Sequence, residues 1–139
     1  MHEGTITIRI PADLNDIERM CRLVRQFGEL HDVPSRTLYA VNLALDEAVT
    51  NIVQYAYDDP QGRELLVRLE VAGNELRGDV IDEGRAFNPL DVALPDLNAP
   101  LADREPGGLG IHLVRSLIDR LSYRREDGKN VLTMTKRIR

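Results

Sequence analysis

The stretch Leu45-Asp46-Glu47-Ala48-Val49-Thr50-Asn51-Ile52 sets the pattern around which the rest of the chain is interpreted. It lies in a longer segment whose apolar residues recur every three or four positions, which predicts an amphipathic helix. Pro34 and Ser35 supply a start signal for this helix. Glu47 and Asn51 are four residues apart, so they lie on one helix face, one turn apart, largely off the apolar stripe. The stripe consists of Leu38, Val41, Leu45, Val49, Ile52 and Ala56.

The pair Glu47 and Asn51 has a chemistry that suits a reaction site. A carboxylate beside a carboxamide provides a proton acceptor and a neutral oxygen ligand for a hard cation. Polar residues on a helix face are more often simply solvated, however, because amphipathic helices turn such residues outward. The pair therefore becomes informative only when other motifs join it.

Length, charge and cysteine content set limits on the possible functions. The 139 residues correspond to one domain, residues 1–139, and a hydrophobic fraction of 42% with 29% charged residues is typical of a soluble globular protein. A net charge of -5 argues against a direct nucleic-acid binder, which usually has a basic surface. The single Cys21 has no partner for an internal disulfide, and no apolar run approaches the roughly 18–20 residues that span a bilayer. We therefore expect a cytoplasmic protein without a membrane segment.

The order of the predicted elements indicates the fold class. Alternating apolar residues predict strands at about residues 5–10, 64–72, 75–81, 122–126 and 131–138. Gly73-Asn74 and Asp127-Gly128 are hairpin signals, and Asp13 or Asn15 marks the start of a helix that precedes the central one. The central helix is expected to end near Tyr57. This order predicts an α+β fold, a two-layer α/β sandwich whose mostly antiparallel sheet is covered by helices on one face.

A proline-rich segment separates the second hairpin strand from the last helix. Four of the seven prolines lie between residues 88 and 108, and the segment shows no usable periodicity. A loop of this length inside a compact domain is uncommon and usually forms a lid or a binding loop. We expect a lid at about residues 88–108.

Two further motifs give the Glu47/Asn51 pair a context. Asp82-Glu83-Gly84 follows a predicted strand, where the Asp82 carboxylate can accept a hydrogen bond from the exocyclic amine of adenine. Guanine presents a carbonyl at that position, so such an Asp selects adenine. Gly84 is expected to let the backbone approach the base without a Cβ in the way.

The second motif, Gly107-Gly108-Leu109-Gly110, opens the last helix. Its glycines allow the backbone to bend around phosphates, and the unpaired N–H groups of a helix beginning near Ile111 face the negative charge. Asn51 can ligate Mg²⁺ through its amide oxygen. The chain has neither a P-loop nor a strand–Gly-x-Gly-x-x-Gly–helix unit. Together the motifs predict a site for ATP and Mg²⁺.

These three motifs resemble the sequence boxes of the GHKL ATPase superfamily, which has the histidine-kinase-type ATPase fold. Within it, the chain most resembles the anti-sigma-factor serine/threonine kinases of bacterial partner-switching systems, over nearly its whole length. The resemblance implies that Glu47 is the catalytic base, that Asn51 is the Mg²⁺ ligand and that Asp82 accepts the adenine amine.

The same resemblance assigns the start of the last helix. It implies that Gly108 and Gly110 are the glycines of the phosphate lid, with Leu109 and Ile111 beside them in the nucleotide site. One departure concerns the last strand, where similar proteins carry a Gly-Thr-Thr-like stretch that helps to bind adenine. Here the corresponding residues are about Lys129-Asn130-Val131, and we expect Asn130 to substitute as a polar partner in the nucleotide site.

The resemblance also implies a function. It predicts an ATP-dependent serine/threonine protein kinase and anti-sigma regulatory factor that phosphorylates an anti-anti-sigma protein of the STAS type. It further predicts sequestration of a sigma factor and a homodimeric state. The altered adenine-side strand leaves an alternative open: a nucleotide-dependent partner-binding module with little or no kinase activity.

Overall fold

A computed structural model describes residues 4–88, 91 and 108–139. The strands are Gly4–Pro11 (β1), Glu64–Ala72 (β2), Glu75–Asp82 (β3), Arg120–Glu126 (β4) and Lys129–Arg137 (β5). The helices are Ile17–Leu30 (α1), Ser35–Tyr55 (α2) and Gly108–Leu117 (α3), and a short 3-10 helix at Leu14–Asp16 precedes α1. The predicted lid at about residues 88–108 lies almost wholly outside the described residues.

The five strands form one sheet in the order β1-β2-β3-β5-β4, and every neighbouring pair is antiparallel. Both predicted hairpins are present. Gly73, the first residue of its two-residue loop, has φ 60°, as a type II′ turn requires. Asp127 and Gly128 have φ 52° and 76°, as in a type I′ turn. The pairing of β3 with β5 joins the two hairpins at the centre of the sheet.

The hydrophobic core lies between one face of the sheet and the helices. Because side chains alternate along a strand, Val67 and Leu69 of β2 and Val80 of β3 point into this layer. They pack with apolar residues of α1 and α2 in a single buried cluster. The other face of the sheet carries charged residues such as Arg68 and Arg77. The predicted two-layer α+β architecture is thereby confirmed.

Local chemistry explains where the first two helices begin. The Asp13 carboxylate accepts a hydrogen bond from the Asn15 backbone N–H at 2.9 Å and starts the 3-10 helix that leads into α1. Helix α2 begins at Ser35 directly after Pro34 and ends at Tyr55, two residues before the predicted Tyr57. Among the described residues, no helix is long and apolar enough to cross a membrane.

Two boundaries differ from the sequence prediction for physical reasons. Helix α3 begins at Gly108 and not near Ile111, so Gly108 and Gly110 belong to its first turn. Strand β5 begins at Lys129 because Glu126 and Lys129 pair directly across the two-residue turn, which leaves no unpaired residues beside it. The last hairpin is therefore more tightly closed than predicted, and Asn130 lies within the ladder.

Candidate functional site

Asn51 is fully buried on α2, with 0% of the residue exposed. Neither its amide oxygen nor its amide nitrogen has a hydrogen-bond partner among the described residues. Its neighbour Glu47, one turn earlier, is half-buried. One of its carboxylate oxygens, Oε1, is buried and also has no hydrogen-bond partner among the described residues. The sequence analysis placed Asn51 largely off the apolar stripe, whereas the structure buries it on a helix that contacts α1, α3 and the sheet.

Unpartnered buried polar atoms are rare in native proteins and call for an explanation. Leaving an amide group without a partner costs about 1–3 kcal/mol, so such a group is retained where something else supplies the missing bonds. The amide oxygen of Asn51 is the type of ligand that Mg²⁺ accepts. The arrangement argues against the interpretation of Asn51 as a solvated residue on a helix face.

Burial also changes the acidity of Glu47. Desolvation raises the pKa of the Glu47 carboxyl, and the charge of the adjacent Asp46 raises it further. Asp46 itself is exposed and accepts a hydrogen bond from the Thr50 hydroxyl at 3.3 Å. A carboxylate with a raised pKa binds a proton more strongly, which is the property a general base needs.

Asp82 is the last residue of β3 and only 2% exposed. Its Oδ1 atom accepts hydrogen bonds from the Gly84 backbone N–H and from the Asn130 amide, each at 2.9 Å. Burial raises the pKa of Asp82, whereas these two hydrogen bonds and the nearby Arg125 charge act to lower it. In the part of the chain that the structure describes, Oδ2 accepts no hydrogen bond. One oxygen of Asp82 is thus held within the protein, and its contact with adenine stays a prediction.

Position 84 requires a glycine because its backbone lies close to Ala56, a contact that the sequence did not predict. A Cβ on Gly84 would lie 2.5 Å from the Ala56 carbonyl oxygen and 2.8 Å from the Ala56 Cβ. The neighbouring Arg85 donates its backbone N–H to Ala56 at 2.8 Å and its Nε to the Tyr55 carbonyl at 2.7 Å. The observed reason for a glycine is therefore contact with the end of α2, while its predicted approach to a base stays a prediction.

Asn130 is 3% exposed and is bonded within the protein through both ends of its amide. Its nitrogen donates to Asp82 and, at 2.7 Å, to the Arg85 carbonyl. Its oxygen accepts three hydrogen bonds, from the Phe87 backbone, the Tyr123 hydroxyl and the Arg125 guanidinium. A carboxamide has two donors and two lone pairs, so these contacts use its capacity fully. The predicted contact of Asn130 with the nucleotide stays a prediction.

Gly108, Leu109, Gly110 and Ile111 form the first turn of α3. The first N–H groups of a helix have no partner within the helix and carry the positive end of its dipole. The start of α3 thus has the backbone chemistry that the prediction requires for binding phosphates. The side chains of Leu109 and Ile111 lie outside the described residues.

The structure brings the predicted site residues of the sheet and of α2 together in two groups. Asp82, Gly84 and Asn130 are joined by hydrogen bonds, and Glu47 and Asn51 lie together on α2. Residues 4–88, 91 and 108–139 contain no group of three or more His, Cys, Asp or Glu residues that could hold a metal ion. The predicted cation at Asn51, with phosphate oxygens and water as its other ligands, stays a prediction.

Arg125 and Tyr123 are site-supporting residues that the sequence analysis missed. Arg125 donates to the Gly84 carbonyl at 2.7 Å and to the Asn130 amide oxygen at 3.1 Å. A signal for Arg125 was present in the sequence, because a two-residue turn at Asp127-Gly128 places Arg125 directly opposite Asn130.

Comparisons with known proteins identify the family of the chain. The sequence-family model for the histidine kinase-like ATPase domain matches residues 10–136. The chain is 35% identical over 101 residues to the serine/threonine-protein kinase BtrW of Bordetella bronchiseptica, covering 73% of this chain and 71% of that protein. It is 27% identical over 117 residues to an anti-sigma F factor of a Thermoanaerobacter species, covering 84% of this chain and 81% of that protein.

A solved structure supports the fold. The structure of the RsbU and RsbW domains of Rv1364c from Mycobacterium tuberculosis superposes with a TM-score of 0.70 at 18% sequence identity. The match covers 97% of this chain and 32% of that one, so the chain spans about a third of the solved protein. At this identity the likeness concerns the fold alone.

Proposed function

The chain belongs to the histidine kinase-like ATPase domain family, and from this premise we propose that it is a serine/threonine protein kinase with an anti-sigma function. It transfers a phosphoryl group from ATP to a serine or threonine of a small anti-anti-sigma protein of the STAS type. Once the anti-anti-sigma protein is phosphorylated, the kinase is free to bind a sigma factor. It works as a homodimer in the cytoplasm. The observation that carries this proposal is the buried amide of Asn51, which has no hydrogen-bond partner among the described residues, with Glu47 one turn away on α2.

Phosphoryl transfer depends mainly on positioning and on neutralising charge. Asn51 would hold Mg²⁺ through its amide oxygen, and the bound ion supplies charge neutralisation at the phosphates. Glu47 accepts the proton of the partner's hydroxyl as that oxygen attacks the γ-phosphorus, while the bond from this phosphorus to the β–γ bridging oxygen breaks and ADP leaves. Its raised pKa favours this step, because a general base works best when its pKa lies nearer the working pH.

The other end of the nucleotide is recognised from the sheet. Asp82 accepts a hydrogen bond from the adenine amine with Oδ2, and the backbone N–H groups at Gly108, Leu109 and Gly110 face the phosphates. The predicted lid at about residues 88–108 belongs to the proposal. Its support is the proline-rich sequence next to the first turn of α3.

Variants of one helix test the proposal. The full chain is incubated with labelled Mg-ATP and small STAS-type proteins, and transfer and nucleotide affinity are measured. Asn51→Ala should weaken Mg-dependent nucleotide binding and abolish transfer. Glu47→Gln should retain nucleotide and partner binding while transfer falls by about 10²–10⁴-fold, the usual contribution of a general base. Gln54→Ala, at an exposed position of α2, is the matched control and should change neither.

Two results would count against the proposal. Equal transfer by the wild type and Glu47→Gln would remove Glu47 from the mechanism. Tight nucleotide binding by the wild type without transfer to any STAS-type protein would favour the partner-binding module instead. The full set of internal hydrogen bonds at Asn130 makes that second outcome worth measuring, because the adenine side differs from the Gly-Thr-Thr-like pattern.

A further inference from the structure

Three polar residues form a row across adjacent strands at the adenine side of the proposed site. Asp82 of β3 is directly opposite Asn130 of β5, and Asn130 is directly opposite Arg125 of β4. Residues in register on antiparallel strands have their side chains on the same face of the sheet. The row therefore lies on the face that carries the core and the helices.

One oxygen of Asp82 accepts two hydrogen bonds. The Asn130 amide nitrogen and the Gly84 N–H both donate to Oδ1, each at 2.9 Å. Two donors on one oxygen fix the rotation of the carboxylate. Oδ2 is left without a hydrogen bond from the described residues, so the carboxylate offers a single acceptor in one orientation.

Asn130 has no donor left for a ligand. Its two N–H groups are used by Asp82 and by the Arg85 carbonyl, and the residue is 3% exposed. Its oxygen is held by three donors, among them Arg125, which also binds the Gly84 carbonyl at 2.7 Å. Asn130 thus connects the Asp82 carboxylate with the backbone of the loop that follows it.

We infer that Asn130 is a positioning residue for nucleotide recognition: it holds Oδ1 of Asp82 so that Oδ2 is presented to the exocyclic amine of adenine. Arg125 fixes Asn130 and the loop at Gly84 in turn. This inference rests on the proposed function, because adenine nucleotides are taken as the ligand. It replaces the predicted role of Asn130 as a direct partner of the base with a role exerted through Asp82.

The charge state of Asp82 supports the same role. Burial raises the pKa of Asp82, and the hydrogen bond from Asn130 is the largest of the influences that lower it. An ionised carboxylate is an acceptor only, whereas a protonated one carries an O–H donor that does not match the adenine amine. Asn130 therefore favours the form of Asp82 that recognises adenine.

A double-mutant cycle separates positioning from direct contact. Asn130→Leu, Asp82→Ala and the double variant of the full chain are titrated with Mg-ATP and with Mg-ITP, whose base carries a carbonyl in place of the amine. We expect Asn130→Leu to lose about tenfold or more of the ATP-over-ITP preference, in the range of a lost hydrogen bond to a charged group. In the Asp82→Ala background the Asn130 substitution should cause no further loss, because the two residues act as one unit.

Other results would overturn the inference. Additive losses in the double variant would make Asn130 a direct ligand of the base. An equal loss for both nucleotides, with the preference intact, would make its role structural only. A wild type that binds neither nucleotide would overturn the proposed function and this inference with it, whereas the first two outcomes leave the proposed function standing.

Two further variants protect the test against a general loss of stability. Asn130→Asp keeps an acceptor for Phe87, Tyr123 and Arg125 but removes the donor to Asp82, so it should lose the ATP-over-ITP preference as Asn130→Leu does. A folded Asn130→Asp protein with the wild-type preference would overturn the inference. Thr37→Val is the control, because it removes a buried hydrogen bond of 2.9 Å to the Ile138 carbonyl in another part of the core. It should lower the melting temperature and leave the preference unchanged.

Discussion

The amide of Asn51 is buried without hydrogen-bond partners among the described residues, while the buried Thr37 hydroxyl is fully bonded to the Ile138 carbonyl. The two residues therefore contribute to stability with opposite signs. Replacing an unsatisfied polar group with an apolar one of similar shape is neutral or favourable, whereas removing one partner of a buried hydrogen bond is not. Asn51 is best understood as a residue that is unfavourable for the nucleotide-free fold.

We predict that Asn51→Leu raises the stability of the nucleotide-free protein by about 1 kcal/mol or more, while it abolishes Mg-dependent nucleotide binding. Thr37→Val should lower stability by about 1 kcal/mol. Denaturant unfolding of the three proteins without nucleotide measures both effects. An Asn51→Leu variant less stable than the wild type would show that the amide is satisfied in the free protein.

Glu47 gives a prediction that depends on pH. Its pKa is raised in the folded protein, first by burial and then by Asp46, so the fold is less favourable when the carboxylate is charged. A group with a raised carboxyl pKa contributes most to stability at acidic pH, and this contribution is lost as the pH rises through the folded pKa. Glu47→Gln has no charge to lose and should be free of this effect.

We therefore expect Glu47→Gln to be more stable than the wild type at pH 7–8 without nucleotide, and the difference to shrink as the pH falls toward about 4, near the ordinary pKa of a glutamate. Thermal unfolding across this pH range measures it. Asp46→Asn should reduce the same pH dependence, since it removes the second cause of the shift. A stability difference that is constant with pH would contradict the assignment of the raised pKa.

At the scale of elements, the sequence predicted correctly the features that depend on residues close together in the chain. The strands around Val67 and Val80 and both hairpin turns depend on alternation and turn residues within a few positions, and these predictions are confirmed. The pairing of Asp82 with Asn130 joins residues far apart in the chain, so no local pattern reveals that the two side chains meet. Asn51 is buried on α2, whose contacts with α3 and the sheet are equally non-local.

The loop after β3 shows how one element is fastened to another. Gly84 packs against Ala56 at the end of α2, and Arg85 donates to the carbonyls of Tyr55 and Ala56. Arg85 thereby satisfies carbonyl groups at the C-terminus of α2, which the helix leaves without partners. The loop that follows Asp82 and the helix that carries Asn51 thus hold a fixed relation to each other.

We predict that Gly84→Ala breaks this relation, because its Cβ would lie 2.5 Å from a backbone oxygen that cannot turn aside. Nucleotide affinity should fall by about tenfold or more, together with a stability loss of about 1–3 kcal/mol typical of overpacking. Gly78→Ala on β3, the strand before this loop, is the matched control, since its Cβ would meet only the movable side chains of Leu69 and Met134 at 3.3 Å. Unchanged affinity in Gly84→Ala would show that the contact with α2 is dispensable.

For the whole molecule, the proposed nucleotide would contact the helices and the sheet together. Its phosphates would lie by α2 and the first turn of α3, and its base by the end of β3. A ligand that binds only the folded state stabilises it by RT ln(1 + [L]/Kd), about 2.7 kcal/mol when the ligand is at 100 times its Kd. Thermal stability therefore reports on base recognition in the intact protein.

We predict that Mg-ATP at about 100 times its Kd raises the melting temperature by roughly 10 °C, since a domain of this size shifts by roughly 3–4 °C per kcal/mol. Mg-GTP at the same concentration should give a much smaller shift, and Asp82→Ala should remove the difference between the two nucleotides. Asp79→Ala is the control: Asp79 is also buried on β3 but lies on the opposite face, bonded to Thr133 at 2.6 Å. That variant should be less stable yet retain the preference for ATP. Equal shifts with ATP and GTP in the wild type would exclude Asp82 as the adenine acceptor.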